Sequence, residues 1–147
     1  MPGVVYDTSI FIAYKPVVFP AGFLMSAVVV QELAAGADDK SQLQALDAAR
    51  RAYEKEGKLL VPIGEDWWLA GKVLNSLLRG LKSKHGGLTP RLPAIEKHRI
   101  VRDVLIARTA RRAGALLVTD NVKDFQMIRR FCPVRMARGS DYFRRKR

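Results

Sequence analysis

The chain has one cysteine, Cys132, and two histidines, His85 and His98, among 147 residues. A lone cysteine excludes an internal disulfide framework and suits a reducing compartment. The histidines fall in or beside a loop and read as surface residues. No apolar run approaches the ~20 residues of a membrane helix. The amino terminus lacks the basic stretch and unbroken apolar core of a secretory signal, because Asp7 interrupts it. A cytoplasmic protein is the expectation. Internal repeats and low-complexity segments are also missing.

Acids are scarce too: 14 Asp and Glu stand against 26 Lys and Arg, a net charge of +12. That imbalance favours a polyanionic partner, nucleic acid first and an acidic protein or membrane surface after it. The plainer alternative is a basic protein with no such partner. The excess is dense at Arg108, Arg111 and Arg112, at Arg129 and Arg130, and in the terminal Arg144-Arg145-Lys146-Arg147. What is present in ordinary amount is apolar material, 48% of residues. One domain of this length buries a core without staples.

Strand-like runs alternate with helical ones. Val4–Tyr6 reads as a short buried strand. Ser26 offers a helix N-cap for residues 27–35, with Gly36 the stop, although Val28-Val29-Val30 also has strand character. Helical spacing predicts helices over 38–56, from Asp66 to about Leu81, over 97–113 and over 122–131. Residues 59–63, 115–119 and 134–136 read as further strands, and residues 82–93, with two glycines and two prolines, as a loop. The strands are continuous apolar runs rather than alternating ones. That marks an α/β fold, a three-layer α/β/α sandwich whose central parallel sheet is covered on both faces.

Two acids stop strands dead. Asp7 follows Val4–Tyr6, and Asp120 follows Ala115-Leu116-Leu117-Val118-Thr119. In open α/β sheets ligands bind outside the carboxyl ends of the strands, so the pair can share one crevice if their strands are neighbours. Either acid alone is equally a turn residue or helix cap. Asp103 sits inside the 97–113 helix, on the arc of Ile100, Ile106, Ala107 and Ala110 at ~100° per residue. A buried carboxylate there needs a cation, an arginine or a metal. Glu32, beside Val28, Val29 and Ala35, poses the same problem. A salt bridge is the plain reading of both. Asp124 fits the first turn of a short helix capped by Asp120 or Asn121.

Taken in order, Asp7-Thr8-Ser9, Ser26 through Glu32-Leu33, Asp103-Val104-Leu105-Ile106-Ala107 and Thr119-Asp120-Asn121-Val122-Lys123-Asp124-Phe125 resemble the PIN-domain nucleases. They look most like the VapC-type ribonuclease toxins of toxin–antitoxin pairs, across about residues 3–137. The resemblance implies a PIN-like nuclease domain over residues 1–140, with 141–147 as a basic tail. It implies an endoribonuclease dependent on Mg²⁺ or Mn²⁺, with Asp7, Glu32, Asp103 and Asp120 as the catalytic and metal-binding cluster. Asp124 would bind metal through water, and Thr8, Ser9, Thr119 and Asn121 would orient the carboxylates. It also implies an antitoxin partner and a homodimer. Trp67, Trp68 and Phe19 read first as core and second as such a contact face. The 82–93 segment and the terminal cations depart from the pattern. An RNA-processing nuclease without toxin role and a basic, non-catalytic nucleic-acid-binding module stay open. Phosphoryl transfer to an aspartate fits less well, because Asp7-Thr8-Ser9 offers neither an acidic pair nor Asp-x-Asp.

Overall fold

A computed structural model describes residues 3–15, 19–84, 86 and 92–145. His85, residues 87–91 of the expected loop, and Lys146 and Arg147 of the tail lie outside the described residues. The chain runs β1 (Val4–Tyr6), α1 (Thr8–Ala13), β2 (Met25–Ser26), α2 (Ala27–Ala35), α3 (Lys40–Lys55), β3 (Leu59–Leu60), α4 (Gly64–Lys84), α5 (Ala94–Arg112), β4 (Leu116–Thr119), α6 (Val122–Ile128), β5 (Met136–Arg138) and α7 (Gly139–Arg145).

Every strand pairing is parallel. β1 and β5 flank β4, with Val5 opposite Leu117 and Val118 opposite Ala137. β2 pairs with β3. The two sheets meet at a bridge between Val5 and Leu24, where the Leu24 N–H donates to the Val4 carbonyl at 2.8 Å. The spatial order is therefore β3-β2-β1-β4-β5. The chain winds outward from β1 in one direction and, after α5, from β4 in the other. β1 and β4 are thus the neighbours at which the winding reverses, the place where such sheets open a crevice.

Pleating sends successive side chains to opposite faces. Val5 and Leu117 join one core with Val28, Val29, Val73, Val104, Ile106, Phe125 and Ile128, from α2, α4, α5 and α6. Tyr6 and Val118 join a second with Ile10, Tyr142 and Phe143, from α1 and α7. Both faces are covered, and for that reason the strands carry no polar alternation. Phe19 packs in the second core, its ring stacked on Tyr6 at 5.2 Å and on Phe143 at 5.7 Å.

Several elements differ in extent from the sequence reading. β3 is confined to Leu59–Leu60, and Val61 and Ile63 are exposed. α4 begins at Gly64 and carries Lys82–Lys84 into what reads as loop, while α5 starts three residues early, at Ala94 behind Pro93. The extended φ/ψ of Pro93 suits an N-terminal boundary. The last strand is Met136–Arg138 rather than 134–136. Residues 141–145 continue α7, whose Tyr142 and Phe143 are buried, so the fold runs past residue 140. Trp67 and Trp68 are 56% and 71% exposed and contribute little to the core. Among the described residues, no helix is long and apolar enough to cross a membrane.

Candidate functional site

Asp7 occupies the N-cap position of α1, yet its side chain makes no capping bond. Ser26 and Asp39 do cap their helices, accepting from Val29 N–H and Gln42 N–H. The Asp7 carboxylate instead accepts from Ser9 Oγ at 2.5 Å on one oxygen and from Thr119 Oγ1 at 2.7 Å on the other. Thr119 ends β4, so this contact ties the carboxyl ends of the two central strands together. The same hydroxyls serve the backbone: Asp120 N–H donates to Ser9 Oγ at 3.1 Å and Asn121 N–H to Thr119 Oγ1 at 2.9 Å. Ser9 and Thr119 thus hold the Asp7 carboxylate, while Asn121 contributes its backbone N–H to Thr119. Asn121 holds the N-cap position of α6 without a side-chain cap, and Asp124 is in its first turn.

Asp103 is 6% exposed and shares its burial with Ile100, Ile106, Ala107 and Ala110, as the helical arc predicts. Its guanidinium neighbour is Arg102, whose Nε lies 3.8 Å away, while Arg102 Nη1 reaches Glu32 Oε2 on α2 at 3.1 Å. Arg99, one turn before Asp103, pairs with Asp124 at 2.6 Å and also with Glu96. The salt-bridge reading of Glu32 and Asp103 therefore holds in part. It leaves Glu32 Oε1 and the Thr8 hydroxyl buried without a well-formed hydrogen bond, although Thr8 lies close enough to draw the Glu32 carboxyl down.

Electrostatics link the acids. Burial pushes Asp103 up to about 7; Arg102 and Arg99 draw it down, and Asp124 and Asp7 add to the rise. Burial likewise raises Asp7, against the pull of Ser9, Thr119 and the Ile10 N–H, and Asp120 adds to it. Glu32 is raised by burial, with Arg102 opposing and Asp7 reinforcing. Asp7 is thus linked pairwise to Glu32, Asp103 and Asp120, and Asp103 to Asp124, although the five acids come from separate places in the sequence. Such a cluster favours a cation.

Tyr14 and Gly139 complete the site, and neither stands out in the sequence. Tyr14 OH donates to Asp120 Oδ1 at 3.4 Å. A Cβ added to Gly139 would lie 2.6 Å from Asp120 Oδ1, 2.7 Å from Ile10 Cδ1 and 3.0 Å from Tyr14 OH. Gly139→Ala is expected to push the Asp120 carboxylate from its position and to cost about 1–3 kcal/mol. Denaturant midpoints and a structure of the variant check both effects. Arg99 and Arg102 had a legible signal: one is a helical turn from Asp103 and the other is adjacent to it.

The donor atoms are all carboxylate and hydroxyl oxygens, the set a hard divalent ion takes. Their chemistry fits such an ion, and Glu32 Oε1 is buried without a well-formed hydrogen bond, the Arg102 contact falling on Oε2. Their geometry as it stands is unfinished. Among the described residues, no group of three or more His, Cys, Asp or Glu is gathered so as to hold a metal. Arg102 and Arg99 engage Glu32 and Asp124 instead.

No family model matches the sequence, and no curated protein matches it. Solved structures do match its fold, two VapBC structures among them. A DNA-bound VapBC structure from Salmonella typhimurium aligns with a TM-score of 0.53 at 20% identity, covering 94% of this chain and 98% of that one. VapBC-1 from nontypeable Haemophilus influenzae aligns with a TM-score of 0.55 at 22% identity, covering 92% and 96%. The likeness is one of fold. It runs nearly end to end in both directions, and the parallel sheet with helices on both faces is the architecture shared.

Proposed function

We infer that the chain is a metal-dependent endoribonuclease of the toxin kind, restrained by a partner protein. The observation that carries this reading is the trio of largely buried carboxylates, Asp7, Glu32 and Asp103. They come from three elements, Asp7 at the end of β1 acts electrostatically on both Glu32 and Asp103, and burial raises all three, which supports a shared site. Three such acids are costly to keep in a fold unless something positive occupies the space between them.

Mg²⁺ or Mn²⁺ would be held by Asp7, Glu32, Asp103 and Asp120, with Asp124 acting through water. When bound, such an ion supplies a water of lowered pKa and neutralises charge on a phosphate. The chain's own residues do the rest. Ser9 and Thr119 fix both oxygens of Asp7, and Tyr14 and the bare Gly139 backbone fix Asp120. Asp120 or Asp103 orients the attacking water and takes its proton. For Glu32 to hold an ion, Arg102 would have to give up its 3.1 Å pairing with that carboxylate. The excess of 26 cations over 14 acids holds the RNA backbone, so binding should fall steeply with salt.

The fold neighbours are VapBC complexes by description, which supports a partner of the antitoxin class here. Val61, Ile63, Trp67 and Trp68 lie exposed around the start of α4 and give that partner an apolar surface.

RNA incubated with the purified protein is expected to be cut with Mg²⁺ or Mn²⁺ and left whole with EDTA. Asp7→Asn should bind RNA yet not cut it. Binding with no cutting in any metal, equal in wild type and variant, would leave the basic binding module in place of the nuclease.

A further inference from the structure

Three arginines from the cation-dense stretches come together at the other end of the sheet. Arg111 lies in the last turn of α5, Arg129 follows α6 and Arg135 leads into β5. They line one open pocket with Gly114, Pro133 and Val134. Its volume, about 280 Å³, is at the small end of the ~300–1,000 Å³ typical of ligand pockets. No acid lines it. Among the described residues, none of the three pairs with Asp or Glu.

Two of the guanidiniums are aimed by the backbone. Arg111 Nη1 donates to the Pro133 carbonyl at 2.9 Å, and Arg135 Nη2 donates to the Gly114 carbonyl at 2.8 Å. Each bond uses one of five N–H donors. A neutral carbonyl fixes the group without cancelling its charge, so the donors left over face solvent already ordered. Arg129 adds a third positive charge, and among the described residues its guanidinium makes no hydrogen bond or ion pair. Like charges gathered without a counter-acid call for an anion, and the planar fork of arginine matches phosphate oxygens two at a time.

The place matters as much as the charge. Gly114 and Ala115 precede β4, and Pro133 to Arg135 precede β5, so this pocket is at the amino edge of the parallel sheet. The acids are at the carboxyl edge. An anion here neither competes with the acids nor meets their repulsion at close range.

We propose that Arg111, Arg129 and Arg135 form a phosphate-binding site at the amino edge of the sheet, taking a phosphate group that is either free or part of a polynucleotide backbone. The site goes beyond the nuclease reading and does not depend on it.

The test uses the full chain in EDTA, so that no cutting intervenes. One arm follows a labelled single-stranded RNA oligonucleotide by anisotropy over a range of NaCl. The other follows the melting temperature in inorganic phosphate against NaCl of equal ionic strength. The proteins are wild type, Arg111→Gln/Arg129→Gln/Arg135→Gln, and a charge-matched control, Lys72→Gln/Lys82→Gln/Lys97→Gln, at exposed lysines outside the pocket. If the phosphate belongs to a polynucleotide, the arginine variant lowers the slope of log K against log salt by about 2, at ~0.7 per lost contact, and the control lowers it less. If the phosphate is free, phosphate raises the melting temperature of wild type and control but not of the arginine variant. Arg129→Gln alone breaks no internal bond and should reproduce about a third of whichever loss is seen, which separates binding from misfolding. Equal behaviour of the arginine variant and the lysine control in both arms overturns the proposal. Because neither arm needs catalysis, binding without RNA cutting in Mg²⁺ would sink the nuclease reading and leave this site standing.

Discussion

Asp103→Asn is expected to fold, to gain stability at pH 8 in the absence of divalent ions, and to cut RNA on the order of a thousandfold more slowly than wild type. The two effects share one cause. The Asp103 carboxyl titrates near its ordinary 3.8 when unfolded and near 7 when folded, chiefly because it is buried. Between those values the folded state keeps a proton that the unfolded state has lost. Stability therefore falls as pH rises through that window and stays at its lower level above it. A rise of that size corresponds to on the order of a few kcal/mol. An amide has the same shape and never carries the charge, so the variant escapes the penalty, while Arg102 keeps Glu32 at 3.1 Å. Catalysis suffers because the amide offers an ion and a proton far less than a carboxylate does. Urea denaturation from pH 4.5 to 8 with EDTA, beside single-turnover cleavage with Mn²⁺, reads both. A variant as pH-dependent as wild type would mean that Asp103 is not the strained acid. Full cleavage would remove it from the site.

Asp66→Ala should be the most destabilising single change outside the core, by about 3 kcal/mol, and lower the melting temperature by about 10 °C. Asp66, where the sequence opens a helix, lies in the first turn of α4, with no exposed surface. One oxygen accepts from the Ile63 N–H at 2.9 Å. The other meets Arg108 Nε at 3.2 Å and Arg112. Burial pushes its carboxyl up, but Arg112, the Ile63 N–H and Arg108 together hold it below its usual range. It lies just beneath the surface, closed over by side chains rather than by a deep core. Truncation to alanine leaves the Arg112 guanidinium and the Ile63 N–H unmatched, leaves Arg108 only exposed Glu65 at 3.6 Å, and loosens α4 from α5. The arginines can turn outward into water, which keeps the cost near the low end of the range for a broken buried pair. Asp47→Ala, which removes the exposed partner of Arg50 and Arg51, is the control and should change the melting temperature little. Thermal unfolding of the two variants side by side settles whether Asp66 is a structural anchor.

Much of the site was legible because its residues break local rules. An acid directly after an apolar strand, as at Asp7 and Asp120, or on the buried arc of a helix, as at Asp103, conflicts with its surroundings. Such conflicts show in one dimension. Ser26 and Gly36 bounded α2 for the same reason, since capping is a matter of neighbours in sequence. Trp67 and Trp68 misled because size and apolarity say core, and only the packing of α4 against α5 decided which face of that helix was covered. Gly139 and Tyr14 carry no local signal at all. Their importance comes from a close approach to Asp120, across 106 residues of chain for Tyr14 and between separate elements, β4 and α7, for Gly139.

By itself, then, the sequence determined the alternation of strand and helix, the parallel sheet, and the acids that sit where none should be comfortable, because each follows from chemistry within a few residues. Tertiary structure alone decided that β1 and β4 are neighbours, so that Thr119 can hold Asp7. It alone decided that Arg102 bridges α5 to α2, and that Arg111, Arg129 and Arg135 meet beyond the far edge of the sheet. Those are contacts between residues distant in sequence, and their partners are chosen by the packing of whole elements rather than by any pattern along the chain.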